Sequence, residues 1–131
     1  MKNHFDKVHD YILELGYSIQ RENPSEGVLL ISDDRSGIRN LVIGCSDPLL
    51  IMEQYLFDTT DSQPDMYKAL LMKNRDIIHG AFALDDSGTK VIFRDTLQIE
   101  NLDLNELEGS INSLSLLLAE YSDELIQFSK N

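Results

Sequence analysis

The apolar residues Phe5, Val8, Ile12 and Leu15 recur every three or four positions, the spacing that lines one face of a helix. Asn3 can cap the start with Asp6 three residues on, and Gly16 supplies a left-handed stop, so a first helix is predicted over about 4 to 15. From Tyr17 the period changes. "YSIQRE" alternates, "GVLLIS" and "RNLVIGC" are short apolar runs, and each is bounded by Asn, Pro, Gly, Asp or Ser, which predicts strands. "LLIMEQYLF", 49 to 57, fits helix or strand by periodicity alone. Pro48 before it, with Ile51, Tyr55 and Phe57 on alternate positions, favours a strand.

"TTDSQPDMYKALLMKNRD" predicts a short helix ending near Arg75, with Ser62 or Gln63 near its cap, Pro64 in its first turn, and Met66, Leu70 and Leu71 on its apolar side. A hairpin follows in "HGAFALDDSGTKVIF": Phe82 and Leu84 point one way, Val91 and Phe93 answer them, and "DDSG" supplies the turn. Its second strand runs on through Leu97 and Ile99. Asp103 and Glu106 then form a capping-box-like pair for a last helix striped by Leu104, Leu107, Ile111, Leu114, Leu118, Tyr121 and Leu125. That helix reaches about Phe128, with Ser122 and Asp123 as the place where it could break. The expected class is α+β, in the order helix, three strands, helix, two strands, helix (αβββαββα), an antiparallel sheet packed with helices. No linker rich in Pro, Gly or Ser divides the chain, so residues 1–131 are expected to form one domain.

Composition narrows the function. A hydrophobic fraction of 42% with 26% charged residues fits a folded body. The 23 Asp and Glu against 11 Lys and Arg give a formal net charge of −12, which repels a phosphate backbone and an anionic membrane surface. Neither nucleic acid nor membrane is an expected partner. No apolar run approaches the roughly 20 residues needed to span a bilayer. The opening "MKNHFDKVHDYILELG" lacks the apolar segment and cleavage site of a secretory signal, and the lone Cys45 has no internal disulfide partner; a cytoplasmic location is expected.

Candidate chemistry is sparse. The turns "DDRSG" (33–37) and "DDSG" (85–88) are rich in oxygens but lack the alternate ligands and terminal Glu of a calcium loop. Cys45 near Ser46 and Asp47 could act as a nucleophile with His4, His9 or His79, yet no family-specific signature surrounds it, and a buried cysteine is the simpler reading. His4 and His9, five apart on one helix, are poorly spaced for a shared metal, and His79 has no fixed carboxylate beside it. Gly80 suits a bend or close backbone approach at the strand entrance. There is no GxGxxG and no Walker A sequence. No enzyme activity, metal or cofactor is expected.

What remains is apolar surface. The run 49–57 carries Leu50, Met52 and Leu56 on one alternating face and Ile51, Tyr55 and Phe57 on the other. One face is expected to pack under helices; the other is expected to meet a partner or a second copy, or else to be covered within the monomer.

The segment "ALLMKNRDIIHGAFALDDSGTKVIFRDTLQIENLDLNELEGSINSLSLLLAEYSDEL" resembles the second half of the type III secretion chaperone-like families, both the Tir-chaperone (CesT) group and the YbjN group. Leu70, Leu71 and Asn74 close the middle helix; Gly80, Phe82, Leu84, Asp85 and Gly88 make the hairpin; Leu97 and Leu102 lead to the last helix. The resemblance implies a homodimeric α+β domain that holds an extended segment of a client protein without nucleotide. Ile51, Tyr55 and Phe57 are the expected partner contacts, by strand addition or pocket filling. By resemblance, Met66, Tyr67 and Leu70 are placed at the dimer interface. The alternative is a YbjN-like sensory or signal-transduction regulator that binds a protein regulator through the same fold.

Overall fold

The computed structural model describes residues 3–130. α1 spans His4–Glu14; Asn3 accepts a hydrogen bond from the Asp6 backbone N–H at 2.8 Å, and Phe5, Val8 and Ile12 are buried along one face. After Gly16 come four strands, β1 (Ser18–Asn23), β2 (Val28–Asp33), β3 (Ile38–Ser46) and β4 (Leu49–Asp58). The expected order held three here. That count falls one short of the four segments read as strands, all of which form; "YSIQRE" pairs along β2 from Ser18 opposite Ser32 to Asn23 opposite Val28.

α2 (Met66–Asn74), β5 (Ala81–Leu84), β6 (Lys90–Gln98) and α3 (Leu104–Ser129) complete the chain. The six strands form one antiparallel sheet in the order β1-β2-β3-β4-β6-β5, so the class is α+β as expected. Ser62 and Gln63 do not cap α2: Asp65 holds the cap position without a side-chain hydrogen bond. Gln63 serves the other end of the fold, where its amide donates to the Gln127 carbonyl at 2.8 Å and the Lys130 carbonyl at 3.2 Å. α3 continues unbroken through Ser122 and Asp123, and its 26 residues extend about 39 Å.

One core joins the layers. Leu29 and Ile31 of β2, Leu41 and Ile43 of β3, Leu50 and Met52 of β4, and Val91 and Phe93 of β6 pack with Val8 and Ile12 of α1, Met66 and Leu70 of α2, and Ile111 and Leu114 of α3. All three helices therefore lie on the same side of the sheet. α3 is fastened there by its serines: Ser110 bonds the Asp95 carboxylate, Ser113 the His79 carbonyl at 2.7 Å, and Ser115 the Ser36 carbonyl at 2.7 Å. Among the described residues no helix is long and apolar enough to cross a membrane.

Candidate functional site

Side chains alternate along a strand, so fixing the inner face fixes the outer one. On the side away from the helices, Leu30 of β2 stands beside Val42 of β3, Ile51 of β4 beside Thr96 of β6, and Tyr55 of β4 beside Ile92, which in turn neighbours Ala83 of β5. Val42 is 41% exposed and Tyr55 53%. None of these outer residues joins the core cluster. These residues make the outer face of the sheet largely apolar on either side of its middle row.

Ion pairs interrupt and border it: Glu53 stands on the same face between Ile51 and Tyr55, opposite Val42 of β3. Glu53 and Arg94, opposite each other on β4 and β6, meet at 3.1 Å. Lys90 lies 3.0 Å from the Asp58 carboxylate and 5.3 Å from the centre of the Tyr55 ring, while the Tyr55 hydroxyl donates to the same carboxylate at 3.0 Å. Tyr55 is thus held in place although half of it faces water. The Lys90 ammonium, then the Tyr55 hydroxyl, hold the Asp58 carboxyl below its ordinary range, and desolvation first, then Asp58, pushes the Tyr55 hydroxyl upward.

Of the three expected partner contacts, Ile51 and Tyr55 stand on this outer face and Phe57 does not. The register shifts between Tyr55 and Phe57, so the bulge turns Phe57 inward; it is 4% exposed, with its ring 6.4 Å from that of Phe128. Met66 and Leu70, expected at a dimer interface, are buried in their own core, one helical turn apart and facing the sheet. Tyr67 is at the surface, as is Leu71, which was expected on the apolar side. Leu30 and Val42 escaped the sequence reading, although the two-residue period of "GVLLIS" and "RNLVIGC" placed them opposite the core-facing Leu29, Ile31, Leu41 and Ile43, and so did Ile92, which alternates with the core-facing Val91 and Phe93.

The reactive residues are quieter. Cys45 is half-buried, and burial, then the Asp47 charge, push its thiol up to about 11, so it is protonated at neutral pH. It shares a cleft of about 570 Å³ with His4 and Asp47, whose side chains meet at 2.7 Å. His9 bonds Glu22 at 3.1 Å, tying α1 to β1. Among the described residues no group of three or more His, Cys, Asp or Glu side chains could hold a metal ion. The oxygen-rich "DDSG" is a turn: Asp85 accepts from the Ser87 hydroxyl at 2.8 Å and from the N–H groups of Thr89 and Lys90 at 3.3 and 3.2 Å.

The CesT_Tir_1 family model matches residues 1–131. No curated protein sequence matches the chain. Among solved structures it is similar to YbjN from E. coli, with a TM-score of 0.69 at 14% identity over 92% of each chain. It is similar also to a chain of the HopA1–SchA chaperone–effector complex, with a TM-score of 0.65 at 14% identity over 91% of this chain and 94% of that one. The Yersinia pestis type III secretion chaperone SycH, in complex with a stable fragment of YscM2, gives 0.57 at 17% identity over 97% and 100%. At such identities the likeness establishes the fold, which is chaperone-like.

Proposed function

The chain belongs to the CesT_Tir_1 family, and on that premise we propose that it is a protein-binding, chaperone-like adaptor of the cytoplasm, without enzymatic activity. Built as one domain, it acts as a homodimer and holds a segment of a partner protein against its open sheet face. The observation that carries this reading is the outer face bearing Leu30, Val42, Ile51 and Tyr55, apolar positions outside the core set around the Glu53–Arg94 pair, with Tyr55 held in place by Asp58 and Lys90.

Magnitudes limit what these residues do alone. Burying four such side chains from full exposure would contribute about 6–12 kcal/mol, and these are already partly covered. Association costs about 4–15 kcal/mol. The partner segment therefore extends beyond them, and a second protomer would double the surface on offer. For the dimer, Tyr67 and Leu71 are the outward-facing residues of α2 that suit a contact.

The test is capture of partners from the source organism by the full chain and by Val42→Asp and Tyr55→Asp. One partner held through a short unfolded segment, and lost with both variants, supports the reading; retention by both overturns it. Light scattering across micromolar concentrations is expected to report a dimer, and a monomer throughout would remove that part. The likeness to YbjN favours a second reading, a signalling regulator, for which the captured partner would be a folded protein.

A further inference from the structure

On the helical side of the sheet, the segment between α2 and β5 and the middle of α3 enclose a groove of about 320 Å³. Its walls include Ile78, which is 88% exposed, and Leu116, which is 68% exposed, with Ile77 and Tyr121 half-buried between them. The charged side chains lining it, beside His79, are Asp76 and Glu120, and neither Lys nor Arg lines it. Among the described residues neither carboxylate has a cation partner. Lys73 at the margin is already engaged, 2.7 Å from Glu124 and 5.1 Å from the centre of the Tyr121 ring.

The groove is pre-formed. The His79 carbonyl accepts from Ser113 of α3 at 2.7 Å, and Gly80 sits so close to Phe93 that a Cβ there would lie 2.4 Å from the ring. Ile78 is therefore presented to solvent by a segment pinned just after it, so little ordering entropy remains to be lost on docking.

We propose that this groove docks a cationic amphipathic helix of a partner protein, its apolar side chains on Ile78 and Leu116 and its Lys or Arg groups on Asp76 and Glu120. Charge selects that occupant. The local carboxylates and the chain's net charge of −12 act in the same direction, steering a basic segment inward. A second copy would bring another −12 and, across a two-fold axis, set the same carboxylates against each other. The groove lies apart from the open sheet face, so it holds whether or not that face takes a client.

The probe is a dye-labelled 18-residue helical peptide with Leu on one face and Lys on the other, titrated with the full chain at 0.15 M salt and read by fluorescence anisotropy. Asp76→Asn with Glu120→Gln is expected to weaken binding about five- to tenfold, and Ile78→Asp by more than about tenfold. Glu26→Gln with Asp86→Asn removes the same two charges from the β1–β2 and β5–β6 turns and is expected to change binding less than about twofold. Val42→Asp and Tyr55→Asp are expected to leave it unchanged, which separates this site from the sheet face. Circular dichroism and urea midpoints check that each variant folds. Equal losses in the two charge-removing pairs, equal binding of a Glu-for-Lys peptide, or an unaffected Ile78→Asp overturns the proposal. So does conversion of a dimer to a monomer by Ile78→Asp with peptide binding intact, which would make the groove a contact between copies.

Discussion

Replacing Gly80 by Ala tests how the β5 entrance is built. Its backbone has φ +81°, and a Cβ would stand 2.4 and 2.6 Å from two ring carbons of Phe93 and 3.1 Å from the Arg94 carbonyl oxygen. Phe93 is fully buried and has no room to swing aside. Left-handed backbone costs an L-residue about 1–2 kcal/mol, overpacking a filled core adds about 1–3 kcal/mol, and the stiffer unfolded chain returns about 0.4–1 kcal/mol. The net expectation is a loss of about 1–5 kcal/mol, against a total of about 7–20 kcal/mol for a chain this long. Two sister variants separate the contributions. Gly88→Ala has φ +73° and nothing within 4 Å of the new Cβ, so it carries strain without collision and should cost about 1 kcal/mol. Gly109→Ala lies within α3, with its Cβ 3.6 Å from the His79 ring, an ordinary contact, and should gain up to about 1 kcal/mol of helix propensity. Urea unfolding followed by circular dichroism ranks the three. If Gly80→Ala proves no more costly than Gly88→Ala, the collision with Phe93 is not real, and the pinned position of Ile78 loses its support.

Asn74→Ala should cost about 2–4 kcal/mol by urea unfolding, because it strips two hydrogen bonds from the Phe82 backbone in a part-buried place. Cys45 should react with iodoacetamide at pH 8 about a hundredfold more slowly than an unhindered cysteine, since its thiol lies near 11 and not at its ordinary 9.0; rapid alkylation of the folded chain would contradict this. Asp85→Ala should weaken the hairpin, and the effect has a defined pH sign. The Ser87 hydroxyl, then the Lys90 and Thr89 N–H groups, hold the Asp85 carboxyl below its ordinary range. Its contribution is therefore fully present above the ordinary carboxylate range and disappears as pH falls through the lowered value, so wild type and variant should converge in acid; a gap that widens there would refute the assignment.

Local chemistry made most elements readable. Asn3 with Asp6 and Asp103 with Glu106 both cap as their spacing suggests, and the hairpin pairs Phe82 with Phe93 and Leu84 with Val91 across the expected turn. Misreadings arose where distant partners decide. The bulge that turns Phe57 inward leaves strict alternation of "LLIMEQYLF" intact on paper, because a register shift exists only between two strands. In α2 the pattern offered Met66, Leu70 and Leu71 as one apolar side, but a short helix against a sheet buries a narrow line, and Leu71 is left outside. Gln63 looked like a cap for the helix after it and proves to be a cap for a helix end more than sixty residues on. The open face was legible in one strand and missed in its neighbours, since strand order β3-β4-β6 is what sets Val42, Ile51, Tyr55 and Ile92 on one surface.

Strand addition, the obvious way to bind an extended peptide, meets resistance at both edges of this sheet. At β5 the Asn74 amide accepts from the Phe82 N–H at 2.7 Å and donates to the Phe82 carbonyl at 3.1 Å, which reproduces the pair of bonds a neighbouring strand would make. A peptide arriving there would have to expel that amide and replace what it already supplies, on a strand only four residues long. At β1 the sequence "SIQREN" offers charge and amide in place of apolar anchors, and the register shift beside Gln20 interrupts the edge. Both edges are thus guarded in the way that sheets avoid unwanted pairing, and recognition passes to side chains on the open face. That shift changes what selects the partner. Backbone pairing accepts almost any extended sequence, whereas Leu30, Val42, Ile51 and Tyr55 reward only a segment whose own apolar residues fall at matching intervals.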